Sequence, residues 1–215
     1  GNGWVTSCTN TLGGTGIYSA AARVKVRNGT VRGASIYCLF LGGGAPIIED
    51  LVLTECGADG AAIGSRASVT NVDAIGNGGH GIIVSERSRV QDLVLTNNAR
   101  KGILVVGAGG IELRDVVAGS NGGDGIQLGV GGLLSNFSAI ANGGSGVLLG
   151  DGSLARAGVV RDNGVGVPTA CGLQGQGGAA YREVVITAGG AGNPATACGL
   201  VNLGNNTCQG TSCPP

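Results

Sequence analysis

Two apolar positions, two residues apart, recur along this chain at an interval near 21 residues. Leu51, Val72, Leu93, Val116 and Phe137 form one column; Leu53, Ala74, Leu95, Ala118 and Ala139 form the other. A spacing of two places both columns on one face of a β-strand. Each pair precedes an asparagine, or Cys56 in the first repeat, and Asn77, Asn98, Asn121, Asn142 and Asn163 follow one another at 21, 23, 21 and 21 residues. After that position comes a glycine turn, as in Asn77-Gly-Gly-His80-Gly-Ile82, and then a second alternating segment: Ile82/Val84, Ile103/Val105, Ile126/Leu128 and Val147/Leu149. A third segment lies between them, for example Arg89–Gln91, Gly110–Leu113 and Leu133–Ser135. No stretch carries a helical period, and glycine throughout opposes helix by up to ~1 kcal/mol per residue.

Such a period exceeds a hairpin and falls short of a βαβ unit. It suits one coil of a β-solenoid with three short strands per coil. The chain therefore reads as one all-β domain over residues 1–215, with about 8–9 coils of ~21 residues. Residues 1–33 form the N-terminal coils, 34–165 the regular repeats, and 166–215 the cysteine-containing C-terminal coils and cap. Stacking coils about 4.8 Å apart pairs each strand in parallel with its neighbours and closes a shared interior, which accounts for the small interior residues Ala74, Ala118 and Ala139. In-register asparagines can hydrogen-bond along the axis, as polar ladders do in stacked β-structure.

Composition narrows the alternatives. Glycine supplies 46 of 215 residues, yet it does not recur every third position and proline numbers only 5, which excludes collagen. Leu, Ile, Val and Phe make up about a quarter of the chain, enough to build a core and against disorder. The net charge is zero, with 13 basic and 13 acidic residues and no run of either sign. Nucleic-acid binding needs clustered Lys and Arg and is not expected. No apolar stretch approaches the length of a membrane span.

The repeat resembles a known family. Asn28-Gly29-Thr30-Val31-Arg32-Gly33, then Ile47-Ile48-Glu49-Asp50-Leu51, and the recurring Asn-Gly-Gly-x-Gly-Ile look like the right-handed parallel β-helix proteins of the pectin-lyase-like superfamily, closest to bacterial repeat-containing members. The resemblance covers nearly the whole chain, but its motifs are turn and core residues, so it implies the fold more than an activity. Asn2–Cys8 resembles the middle of a coil, and preceding strands and an end cap are expected before it.

Polysaccharide lyases of this superfamily bind sugar along one outer face, using acidic residues, often with Ca²⁺, and an Arg or Lys base. The corresponding face here is the strand after the asparagine turn, whose outward positions are Ala62, Ile83, Leu104, Gln127 and Leu148. That stripe is mostly apolar and holds no carboxylate, which favours a contact surface for another chain or segment, or burial under a loop of the same chain.

A second column, Asp50, Asn71, Asp92, Asp115 and Asn136, fits either a bend or an oxygen site for Ca²⁺; the alternation with asparagine favours the bend. No catalytic set converges; a glycosidase needs two carboxylates about 5–10 Å apart, and Asp92 with Asp115 is the least bad stacked candidate. His80, the sole histidine, sits on a turn between Asp59 and Lys101 without a nucleophile beside it, and reads as a turn residue. Glu86, Arg87 and Arg89, with Arg100 and Lys101 one coil on, form the densest charge group and read as solvated loops.

Seven cysteines without a C-x-x-C pair favour disulfides in an oxidising compartment over a metal site, and no cofactor is implied. Cys171-Gly-Leu and Cys198-Gly-Leu, 27 residues apart, are expected to stack and to bridge, and Cys208 to bridge Cys213; the pairing of Cys8, Cys38 and Cys56 stays open. Two functions remain in view. One is a secreted or cell-surface, non-catalytic structural or adhesive solenoid that self-associates or packs on a surface protein. The other is a carbohydrate-active β-helix, a polysaccharide lyase or glycoside hydrolase fragment.

Overall fold

The computed structural model describes residues 4–7, 14–164, 167, 170–187, 197–209 and 211–212. Every coil of the repeat contributes one long and one short strand. The long strands, each of eight residues, include Ser68–Ile75, Arg89–Thr96, Glu112–Gly119 and Leu133–Ile140. They stack in sequence order into a sheet that runs from Trp4–Ser7 to Thr207–Cys208, all parallel, with Thr211–Ser212 added antiparallel. The short strands, such as Ile82–Ser85 and Ile103–Val106, build a second parallel sheet from Ile17–Ser19 to Ala197–Cys198. The result is a parallel β-solenoid of about nine turns with no helix among the described residues.

The three extended segments read from the sequence thus lie on two hydrogen-bonded sheets. Two of them belong to one long strand, which bends at its fourth residue. Asn28, Asp50, Asn71, Asp92, Asp115, Asn136, Ala157 and Glu183 occupy that position, all with φ between 51° and 58°. Pairing skips the bent residue: Gln91 faces Arg114 and Leu93 faces Val116, while Asp92 and Asp115 stay outside the ladder. Asn and Asp tolerate the left-handed conformation better than other side chains, which is why they fill most of this column.

Along each long strand from Ile47–Thr54 onward the second, fifth and seventh residues are buried, as with Val90, Leu93 and Leu95. The interior is a stack of single-residue columns, so neighbouring coils must share out volume. Phe137 shows this best. It is 4% exposed and its ring occupies the space where the next coil carries Gly158, whose added Cβ would lie 2.2 Å from Phe137 Cε1.

The asparagines form a continuous buried ladder. Each Oδ1 accepts both the backbone N–H and the Nδ2–H of the asparagine one coil earlier: 3.2 and 2.9 Å from Asn77 to Asn98, 3.1 and 2.9 Å from Asn98 to Asn121. The same pattern continues from Asn121 to Asn142 and from Asn142 to Asn163. Each Nδ2 also donates to an interior carbonyl, for example Asn121 to Leu95 at 2.9 Å. The amides crowd the glycine just before the short strand. A Cβ at Gly81 would come within 2.8 Å of Asn98 Nδ2, and one at Gly125 within 2.6 Å of Asn142 Nδ2.

This coupling explains a disulfide that the sequence left open. Cys56 takes the ladder position one coil before Asn77 and donates its N–H to Asn77 Oδ1 at 3.0 Å. Cys38 takes the place of the glycine, since Leu39 pairs with Ala61 as Ala61 does with Ile82. Where the amide is absent, the glycine is no longer required, and the two cysteines fill the gap with a disulfide at a Cα–Cα distance of 5.6 Å. Cys171 and Cys198 are bridged at the far end, Cα–Cα 6.1 Å. Their tripeptides do not stack in register, however: Leu173 pairs with Ala197 and Gln174 with Cys198, so the bond runs diagonally between coils. Cys208 is disulfide-bonded too. Cys213, its expected partner, and Cys8 lie outside the described residues.

Candidate functional site

The outward residues of the short-strand sheet form one column. Register places Ala62, Ile83, Leu104, Gln127 and Leu148 in line, and extends the line to Tyr18 and Phe40 below and Gln174 above. Phe40 and all five expected stripe residues are half-buried; Tyr18 is 67% exposed. The Tyr18 and Phe40 rings stack at a 5.2 Å centroid distance and 9° between planes, an aromatic platform at the head of the stripe. Tyr37 packs on Phe40 at 5.5 Å and 49°. Because Ala62 is short, the surface dips between Phe40 and Ile83 into a hollow of about 210 Å³ that Ser85 also lines.

Beside the stripe, at the turn leading into the short strands, Asp59, His80, Lys101, Asp124 and Ser145 stack on successive coils. The His80 N–H donates to Asp59 Oδ1 at 2.6 Å, and the Lys101 N–H donates to His80 Nδ1 at 3.2 Å. Lys101 Nζ pairs with Asp124 at 2.9 Å and donates to Gln127 of the stripe. Asp124 Oδ1 accepts the Ser145 N–H at 2.8 Å, and the Ser145 hydroxyl donates to Gln174 Oε1 at 3.1 Å. The chain of contacts fixes both glutamines of the stripe in place.

His80 is buried, and its Nδ1 lone pair is committed to Lys101, which puts the proton of the neutral ring on Nε2. That ring has no spare lone pair with which to act as a general base. Burial lowers its pKa below the ordinary 6.5; Asp59 opposes this, and Arg100 and Lys101 reinforce it. The folded state therefore holds the proton less tightly than the unfolded chain. The stability that this ring contributes is complete above pH 6.5 and is lost as pH falls through the window below it, toward the lowered folded value. Differential scanning calorimetry from pH 7.5 to 5 is expected to show Tm falling, and the fall is expected to shrink in His80→Gln.

The Asp/Asn column lies at the bend of the long strands, apart from the stripe. Asn71 Nδ2 donates to Asp50 Oδ1 at 2.8 Å, Asn136 Nδ2 donates to Asp115 Oδ1, and Arg114 pairs with Asp115 at 3.2 Å. Asn71 and Asn136 each bond to the carboxylate one coil before, which stabilises the bend. Asp92 is exposed, while Asp115 is engaged by Arg114 and Asn136 and lines, with Asn136 and Val159, a shallow hollow of about 370 Å³. Among the described residues no group of three His, Cys, Asp or Glu side chains is arranged to hold a metal ion. The charge group splits as well: Arg87 stands at the turn after the short strand, Arg89 opens the long strand that follows, and Arg100 and Lys101 lie at the turn before the next short strand.

These features define a right-handed parallel β-helix, and the chain belongs to that family: the family's "right handed beta helix region" pattern matches residues 13–174. No curated protein matches the chain. Among solved structures it is similar to the A-module of the Azotobacter vinelandii mannuronan C-5 epimerase AlgE4, with TM-score 0.62 and 13% identity over 84% of this chain and 55% of that one. It is also similar to the periplasmic alginate epimerase AlgG (TM-score 0.57, 16% identity, 83% of this chain and 48% of that one). The pectate lyase Pel9A gives TM-score 0.56 and 13% identity over 94% of this chain and 58% of that one. At these identities the likeness is one of fold, and the chain spans about half the length of those structures.

Proposed function

We propose that this chain is a non-catalytic, adhesive β-helix that holds a neutral polysaccharide strand along the outer column of its short-strand sheet. The observation that carries this reading is the near-parallel Tyr18–Phe40 platform at the head of a half-exposed apolar line. The C–H face of a sugar ring packs on such a surface, and its hydroxyls need polar partners held at fixed positions. Gln127 and Gln174 supply them, both oriented by the Lys101–Asp124–Ser145 chain. The column contains no carboxylate, and the one imidazole beside it has no free lone pair, which supports binding without bond cleavage. The disulfides suit an oxidising compartment, the periplasm or the outside of a cell.

Affinity electrophoresis and calorimetry with neutral and uronate polysaccharides test this. A neutral polymer is expected to bind without being shortened. Tyr18→Ala combined with Phe40→Ala is expected to weaken binding at least tenfold, and Tyr18→Ala alone to leave Tm within about 2 °C, as for an exposed surface substitution. Release of reducing ends or of unsaturated product would overturn the reading in favour of an enzyme. Failure of all polymers to bind, together with dimers in light scattering that Ile83→Lys and Leu104→Lys dissociate, would replace the sugar by a second copy of the chain.

A further inference from the structure

The turns that follow the short strands carry a second column of left-handed residues: Arg23, Ala45, Arg66 and Arg87, then Gly110, Gly131, Gly152 and Gly178. Backbone bonds from Arg66 N–H to Glu86 O and from Arg87 N–H to Gly109 O show that these residues stack coil on coil. The change from arginine to glycine after Arg87 leaves a step in the surface. A concavity of about 590 Å³ opens there, lined by Arg66, Arg87, Arg89, Ser68 and Glu112 and floored by Gly131. A Cβ on Gly131 would touch nothing within 4 Å, so the space is open to a ligand.

Three exposed arginines thus border one hollow. Arg89 is paired with Glu112 at 3.2 Å, whereas Arg66 and Arg87 make no ion pair or side-chain hydrogen bond with any described residue. The other nearby carboxylate, Glu86, accepts the Ala108 N–H at 3.0 Å, and its Oε2 shares the space over Gly109 with Arg87 Nε, each about 3 Å from where a Cβ there would stand. Ordinary solvated arginines on a chain of zero net charge would be expected to alternate with acids, as Lys25 and Arg32 do with Glu49 and Glu55. Here two cations stand directly above one another, one coil apart, against that pattern.

We infer that this step is a binding site for a tetrahedral oxyanion, a sulfate or phosphate monoester group. A planar carboxylate satisfies one guanidinium fork in its own plane. Arg66 and Arg87 approach from successive coils and Arg89 from the long sheet, so an acceptor with oxygens in three dimensions meets all three, with the Ser68 hydroxyl as a further donor. The site lies on the corner between the two sheets and does not depend on the sugar column.

Arg66 and Arg87 both have φ of 60°, so the test replaces them with glycine, which adopts that conformation without strain. Titrations of sulfate, inorganic phosphate and acetate, followed by arginine side-chain NMR at low ionic strength, are expected to show saturable binding of one or both tetrahedral ions, at least tenfold tighter than acetate. Arg66→Gly/Arg87→Gly is expected to weaken it at least tenfold, while Arg156→Ala, elsewhere on the solenoid, leaves it unchanged. Dextran sulfate and a polyphosphate then distinguish a sulfated from a phosphorylated source. Absence of saturation, equal affinity in the double variant, or acetate and polyuronate binding as tightly as sulfate would overturn the proposal.

Discussion

Asn121→Ala is expected to cost about 3–5 kcal/mol, enough to consume much of the stability of a typical domain. The estimate follows from what the side chain touches. Its Oδ1 is the acceptor for the Asn98 N–H and Nδ2–H, and its Nδ2 donates to Leu95 O and Asn142 Oδ1. All these groups are buried, with Asn98 at 1% exposure and Asn142 at 2%. Truncation strands the Asn98 N–H and the Leu95 carbonyl away from water and removes one bond each from two amides. Each orphaned buried group costs about 1–3 kcal/mol. Asn121→Asp is expected to be no better, because it restores the acceptor and loses both donors while placing a carboxylate against two oxygens. Urea denaturation compares the variants with Gln91→Ala on the outer surface, expected within about 0.5 kcal/mol of the parent. A loss below 1 kcal/mol for Asn121→Ala would mean that water enters the ladder and repairs it.

Gly158→Val is the second large effect, expected at about 3 kcal/mol by overpacking against Phe137 and forced movement of two coils. Its backbone is ordinary β, so the penalty is one of volume alone. The two residues are in register, and the interior column reads Leu93, Val116, Phe137, Gly158, Val184, large beside small where the ring intrudes. Phe137→Val alone should leave a cavity at a cost of about 3 kcal/mol. The double variant Phe137→Val/Gly158→Val restores one valine per coil and should recover most of both losses. A double-mutant cycle by chemical denaturation measures this, and a coupling energy near zero would show that the columns do not share volume as described.

Much of this architecture is legible in the sequence because it is periodic. The interior columns, the asparagine ladder and the outward line from Ala62 to Leu148 all follow from counting on Asn77, and one coil of the structure repeats the next. What counting missed lies where the count changes. The stripe's head, Tyr18 and Phe40, is in register with Ala62 but at 22-residue steps and before the first clear asparagine. The Cys38–Cys56 bridge replaces a glycine and an asparagine together, a signal visible only once glycine is understood as making room for the amide. The merging of two segments into one bent strand depends on a single left-handed residue, which leaves no gap in the apolar pattern. The diagonal Cys171–Cys198 bridge misled the register because the two tripeptides are identical while their coils are offset.

The two disulfides placed by both of their partners sit toward opposite ends of the amide ladder, one at Cys56 just before Asn77 and one at Cys171 just after Asn163. In a stack of parallel strands perpendicular to its long axis, a pull on the chain ends loads hydrogen bonds one coil at a time, the way a zipper opens. Strength along the axis is then set by the outermost intact coil rather than by the sum of all of them. Each bridge takes the chain between its two cysteines, residues 38–56 and 171–198, out of the length that a pull can extend. Force applied outside either bridge therefore crosses that coil through a covalent bond rather than through its hydrogen bonds.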